Sequence, residues 1–309
     1  MVSSTDGAYH DPGTRGRYQG IVDEHWVEIE LPNGLPEGGP LWLVARGWIH
    51  PTDSSVNYAI AQGKHVAPHG LILEVPNEQG GWTIARDQLG FPAGKNKTVL
   101  LRLDDLNFGA NMPSRLRLRT NLEIYWDSIL VARGWEDPQA SVKVLKADEV
   151  DLRFRGIVAM TQANASSPEI PHYDPIISIG QNWRDLIGYH TRYGDVSELL
   201  RSVDDRYAIL CAGDEVVLRF MAPEATPPGW KRDFVWIADG WVKDGDFNTR
   251  FGKSVLPLPA HSMQSYNEQP QDLENDPVYQ RFPNDWQIYH TRYVTPHVYE
   301  QGLRSSPLL

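Results

Sequence analysis

A chain of 309 residues is long enough for two domains with a core each, and 41% apolar with 22% charged residues is the balance of an ordinary globular protein. A formal charge of −11, with no basic run of five, excludes a nucleic-acid backbone or an anionic membrane surface as the main partner, because both demand clustered Lys and Arg. The one cysteine, Cys211, forbids an internal disulfide framework, and its place in the apolar run Tyr207 to Cys211 marks it as a buried, inert thiol.

Residues 1 to 15 carry Gly, Ser, Asp and Pro without periodicity and read as a loose lead-in. They show neither a cationic start nor an apolar stretch, so no signal peptide is expected, and no run approaches the roughly 18 apolar residues of a membrane span. His25 to Leu31 alternates as a half-buried strand, with Trp26, Glu28 and Glu30 on one face and Val27, Ile29 and Leu31 on the other. Further strands are predicted at Leu41 to Trp48, Val56 to Ala61, Leu71 to Val75, Trp82 to Asp87, Thr98 to Leu103, Arg115 to Trp126 and Ile129 to Ala132, separated by Gly, Pro and Asn clusters. The Arg115 to Trp126 strand turns Leu116, Leu118, Thr120, Leu122, Ile124 and Trp126 to a core. It turns Arg117, Arg119, Asn121, Glu123 and Tyr125 the other way, as a polar ladder open to a ligand.

The charged stretch Arg133 to Asp151 reads as a crossing between domains, and Leu152 to Met160 opens the second. Asp195-Val-Ser-Glu198 has capping-box spacing and predicts a short helix. Strands follow at Tyr207 to Cys211, Glu215 to Met221, Phe234 to Val242 and Phe251 to Leu256. After them comes a Pro-, Asn- and Gln-rich tail with short helical turns near Pro277 to Arg281 and Pro283 to His290.

Two internal repeats tie these pieces together. LWLVARGWIHPTDSSVN (41–57) returns as FVWIADGWVKDGDFNT (234–249), and the echo extends upstream from Arg17-Tyr18 and Asp23-Glu24 to Arg206-Tyr207 and Asp214-Glu215. It predicts that Trp48 and Trp241 hold equivalent places on central strands. The pentapeptide YHTRY occurs at 189–193 and 289–293, each behind a Trp, Trp183 or Trp286. The second copy is expected to dock on the second domain with Trp286 buried, its Arg clamped between Tyr rings; the alternative role is acid–base chemistry at His190 and His290.

Few constellations point to chemistry. Asp244, Asp246 and Asn248 place oxygens at alternate positions, as a calcium loop does, since that cation gathers ligands at about 2.3 to 2.6 Å; a tight Asp-Gly turn is the competing reading. His65 and His69 are four apart, but Gly63 and Pro68 argue against the helix that zinc spacing needs. Neither G-x-S-x-G, a phosphate loop nor G-x-G-x-x-G occurs, and no spacing singles out a carboxylate pair. Aromatic residues near strand ends remain: Trp48, Trp82, Trp135, Trp230 and Trp241. Trp48 with Asp53 and Asn57 suits a sugar stacked on a ring with its hydroxyls bonded, while a core role is the competing reading for Trp48 and Trp241.

The stretches GRYQG, HWVEIELP, GWIHPTDSSVN, LGFPAGKNKTV, LRLRTNLEIYWD, GDVSELL, DDRY, GWVKDGDFNT and YHTRYVTP resemble the C-terminal region of bacterial FG-GAP and tetratricopeptide-repeat proteins related to the ASPIC/UnbV group, over nearly the whole chain from Arg15 onward. The resemblance implies an extracytoplasmic, periplasmic or secreted protein and carries no catalytic residues; the propeller and helical repeats of that group are missing here. The N-terminal half is similar in rhythm to galactose-binding-like jelly rolls, which implies a carbohydrate-binding or assembly module.

The expectation is therefore an all-β protein: an antiparallel, jelly-roll-like β-sandwich over 15–147, a second, partly duplicated β-sandwich unit over 148–256, and an irregular tail over 257–309 packed on it. Its expected role is non-catalytic binding or assembly, with a carbohydrate or a protein as partner; a carbohydrate-active enzyme is the rival. The ligand is expected at Trp48, Asp53 and Asn57, or on the face of Arg117, Arg119, Asn121 and Tyr125, with calcium at Asp244, Asp246 and Asn248.

Overall fold

The computed structural model describes residues 4–31, 38–63, 65–104, 106, 113–134, 140–180, 184–243, 245, 250–261, 263–265 and 272–305. The chain is all-β in class, with antiparallel sheets and few helices, and divides into two units: residues 1–141 with 160–171, and residues 142–159 with 172–309.

The first unit holds β1 (Ile21–Glu30), β2 (Leu41–Ile49), α1 (Ser54–Gly63), β3 (Leu71–Pro76), β4 (Trp82–Leu89), β5 (Lys97–Arg102), β6 (Arg115–Leu122) and β7 (Ile124–Arg133). One sheet runs β1-β6-β3-β4 and the other β5-β2-β7. Period-two alternation turns Ile29, Leu71, Leu73, Leu116 and Leu118 of the first sheet, and Leu41, Leu43, Ala45, Leu101 and Ile129 of the second, into one shared core. This is a β-sandwich.

The strand predicted over Arg115 to Trp126 is two strands. The chain leaves one sheet after Leu122 and enters the other at Ile124, with Glu123 at the corner. Its amide donates to Gly20 O (3.0 Å), and its carbonyl accepts from His50 N (3.0 Å). Because the corner wraps the core, Asn121, Glu123 and Tyr125 are buried on the side expected to face water. The segment predicted as a strand at Val56 to Ala61 is α1: Asp53 caps it, its Oδ1 accepting from Val56 N (2.7 Å) and its carbonyl from Asn57 N (2.9 Å).

The second unit is built from small pieces. β8 (Glu149–Phe154) is flanked by β12 (Gly194–Asp195) and β13 (Asp214–Arg219), and β11 (Gly188–His190) pairs with β14 (Arg292–Val294); β9 (Ile157–Thr161) pairs with β10 (Ile170–Ser178), and residues 160–161 and 170–171 of that pair are assigned to the first unit. The capping-box segment forms a short 3-10 turn, Ser197–Leu200. In the tail lie α2 (Pro277–Arg281), α3 (Asp285–Ile288) and α4 (Pro296–Ser305). Tyr207 to Cys211 and Phe234 to Val242 form no strand, and Phe251 to Leu256 contributes a single parallel bridge, Ser254 to Ile187.

The two Gly-Trp segments are therefore not equivalent. Residues 41–49 lie between β5 and β7, hydrogen-bonded on both edges, whereas 234–242 has no ladder partner, and Trp241 is exposed where Trp48 is buried. The upstream halves do match as strands, β1 and β13. The physical reason is non-local: β2 is completed by β5 and β7, far along the chain, and among the described residues no strand pairs with 234–242.

Candidate functional site

The expected ligand residues separate into three environments. Trp48 is core: its ring stacks on Tyr125 (centroids 4.7 Å apart, 11° between planes), and its Nε1 donates to Ser166 O (2.9 Å). A β-bulge makes this stack, since Arg46 pairs with Ser128 but Gly47 with Trp126, leaving Asp127 unpaired and bringing Tyr125 opposite Trp48. Asp53 is committed to the start of α1, and Asn57 is exposed on that helix. The loop reading of Trp48, Asp53 and Asn57 as a sugar site is overturned, because the ring has no free face to offer.

Beneath that stack sits a carboxylate that composition and spacing did not single out. Glu123 accepts from Tyr125 Oη (2.6 Å), pairs with His50 Nδ1 (2.9 Å) and Arg15 Nε (3.2 Å), and takes the Gly20 amide on Oε2 (3.2 Å). Burial pushes its carboxyl up, but the bonds from His50 and Tyr125 outweigh burial and hold it below the usual carboxylate range. Burial and the adjacent Glu123 push Tyr125 up to about 12. The cluster pins the corner between the two sheets, and Tyr125 serves it and not an open face. Asn121 closes the 67–70 loop, donating to Ala67 O and accepting from His69 N, each at 3.0 Å.

Arg117 and Arg119 do lie on an outward face, that of the β1-β6-β3-β4 sheet. Register places Glu28 opposite Arg117, and Arg117 opposite Glu74, so one row crosses three strands with alternating charge. Arg117 donates to Glu28 Oε1 (2.7 Å); Arg119 donates to Glu74 Oε1 (2.9 Å) and to Glu24, which also pairs with His69 Nε2 (2.9 Å); Arg115 reaches Glu28 Oε2 (3.3 Å). Three arginines meet three glutamates, and the lattice closes on itself.

The sequence showed these charges and put Trp26 on their face, but not that Trp82 joins them. The Arg117 guanidinium lies 4.6 Å from the Trp26 ring and 4.1 Å from that of Trp82, with Arg115 5.1 Å from Trp82. Trp26, on the diagonal from Arg117, is 51% exposed. The alternation of β1 had already put Trp26 with Glu28; that Trp82 joins it is decided by β4 pairing at the far side of the sheet.

In the second unit the YHTRY copies pair with each other. β11 and β14 run antiparallel with Tyr189 opposite Tyr293 and His190 opposite Arg292, and the two Tyr rings meet edge to face at 4.9 Å. Arg292 stacks on Tyr193 (4.2 Å), donates to Thr191 O at 2.5 Å and reaches Asp214 Oδ2 at 2.5 Å; Arg192 donates to Ile288 O (2.8 Å). His190 and His290 are buried, His290 Nδ1 lying 3.1 Å from Thr191 Oγ1. Burial lowers both imidazoles, His290 to about 4, and pushes the Cys211 thiol up to about 12. The motif is a packing clamp. Trp286 is only half-buried, edge-on to Tyr279 and His290.

Asp244, Asp246 and Asn248 lie outside the described residues, as do Trp135 and Trp183. Among the described residues no group of three or more His, Cys, Asp or Glu is placed to hold a metal, and no helix is long and apolar enough to cross a membrane. No known protein family, curated protein or solved structure matches the chain.

Proposed function

We propose that this chain is a non-catalytic, extracytoplasmic binding module that takes a neutral carbohydrate on the outer face of the β1-β6-β3-β4 sheet. The observation that carries the reading is the Trp26 ring, half exposed on the outer face of the sheet with the Arg117 guanidinium 4.6 Å from its centroid. A solitary exposed aromatic is ordinary. This one is packed against a guanidinium, so a pyranose face stacking on it would meet a ring already partly ordered.

The surrounding lattice favours an uncharged ligand. Each guanidinium already faces a carboxylate, leaving no net charge for an anion to neutralise, while the outer lone pairs of Glu28 and the free N–H groups of Arg115 can bond hydroxyls. The carboxylates are poor candidates for acid catalysis for the same reason. Glu24 is pushed up by burial but drawn below its ordinary value by His69 and Arg119, so it stays charged.

Glycan-array and affinity-electrophoresis measurements test this directly. Native protein is expected to bind a neutral glycan and Trp26→Ala to weaken that binding at least about tenfold, a difference of 1.4 kcal/mol, with its melting temperature little changed. Absence of any glycan binding overturns the proposal, and hydrolysis of a bound glycan would shift the reading to a carbohydrate-active enzyme.

A further inference from the structure

His261 joins distant stretches of the second unit. Its Nδ1 meets Asp205 Oδ1 at 2.5 Å, its Nε2 meets Asp239 Oδ2 at 3.0 Å, and its own amide donates to Asp205 Oδ1 at 3.0 Å. An ionised carboxylate only accepts, so both ring nitrogens have to donate, and an imidazole donates from both only when it carries its second proton. A neutral ring keeps one N–H. Its other nitrogen then turns a lone pair toward a carboxylate, and one of the two bonds becomes a repulsion.

The surroundings decide which bond is lost. Asp205 is buried, takes the His261 amide as well as the ring, and faces Arg281 of α2 with its other oxygen at 3.3 Å. Asp239 is exposed and belongs to 234–242, where Val235 and Ile237 are 86% and 88% exposed and which no strand pairs with among the described residues. The single proton of a neutral ring therefore stays on Nδ1 with Asp205, and Asp239 is the partner set free. The neighbouring titratable groups do not open the contact themselves. Burial, with Asp205 and Asp239, pushes Tyr207 up to about 12, so it stays neutral and goes on donating to Pro259 O. Burial lowers Lys243 to about 8, but a neutral amine still has two hydrogens for the carbonyls of Val255 and Leu256, each 3.1 Å away.

We infer that His261 is a proton-operated latch: as an imidazolium it ties Asp239, and with it the 234–242 segment, to Asp205, and on losing its proton it lets that segment go. The bond to Asp205 above all, with that to Asp239, raises the ring above its ordinary 6.5. A raised folded value means that the stabilisation is complete below pH 6.5 and is lost as pH rises through that value, so the latch is closed in acid and opens toward alkali. The inference is independent of the carbohydrate reading, because all of its residues lie in the second unit.

Electron paramagnetic resonance of a spin label on Ile237→Cys in the full chain, read beside the NMR titration of the His261 ring, tests it. Ile237 is exposed enough to take a label, and Cys211, whose thiol burial pushes up to about 12, stays unlabelled. The mobile fraction of the label is expected to rise at least about tenfold between about pH 6 and about pH 9, with the same midpoint as the ring. Adding Asp239→Asn supplies a side-chain amide that accepts from the imidazolium and donates to the bare Nε2 of the neutral ring, so the label should stay immobilised throughout. Adding His261→Ala should leave it mobile at every pH, with circular dichroism unchanged. A label indifferent to pH, a midpoint more than about one pH unit from that of the ring, or a native pH response in Asp239→Asn would each overturn the inference.

Discussion

Glu123 shows how one buried carboxylate can organise a sandwich corner. It satisfies Tyr125, His50, Arg15 and the Gly20 amide, so Glu123→Ala leaves several polar groups short of a partner and should lower the stability of the first unit by about 3 kcal/mol in urea titrations. Glu123→Gln keeps the shape and should lose less. His290 in the second unit makes a pH prediction. Burial lowers its folded value to about 4 from an ordinary 6.5, so the folded state holds it neutral while the unfolded chain protonates it as pH falls. The stability tied to that neutral ring is complete above pH 6.5 and is lost as pH drops toward 4, a difference of about 3 kcal/mol. Substituting His290→Asn should flatten the pH dependence of unfolding of the second unit between those values, which thermal melts at stepped pH would reveal.

At the scale of elements, the repeated Gly-Trp pair separates what a strand needs from what it contains. A Cβ on Gly47 would sit 2.5 Å from Tyr125 O and 3.0 Å from the Trp126 ring, because the bulge draws β7 tight against β2 there, whereas a Cβ on Gly240 meets nothing within 4 Å. Gly47→Ala should therefore destabilise the first unit by about 1 to 3 kcal/mol, and Gly240→Ala should leave the melting temperature of the second unit unaltered. Equal effects at both positions would mean that the two segments share one environment. Asp53→Ala removes the cap of α1 and should cost about 1 kcal/mol without touching glycan affinity.

For the whole molecule, the tail is part of the second unit's fold. β14 pairs with β11, Tyr289 Oη donates to Glu198 (2.8 Å), and Arg206 grips Asp285 through two bonds of 2.9 and 2.6 Å. Deleting residues 280–309 should lower the melting temperature of the second unit by several degrees while leaving that of the first in place, and differential scanning calorimetry would resolve the two transitions. A tail that only decorates the surface would leave both unchanged.

The amino-acid sequence by itself determined the class of this protein. Alternation of apolar and polar residues in His25 to Leu31 and Arg115 to Leu122 is a local property, and it was enough to place β1, β6 and the Arg117 and Arg119 face. The YHTRY repeat likewise announced a clamp of Arg on Tyr. What only the tertiary structure decided is everything that depends on a distant neighbour: that alternation passes through a sheet corner at Glu123 and buries Asn121 and Tyr125, that Trp48 finds Tyr125 instead of solvent, and that Trp82 reaches Arg117 across two strands. The second Gly-Trp segment makes the same point most plainly. Residues 41–49 and 234–242 share a pattern, but a strand is completed by hydrogen-bond partners elsewhere in the chain, and among the described residues only the first copy has them.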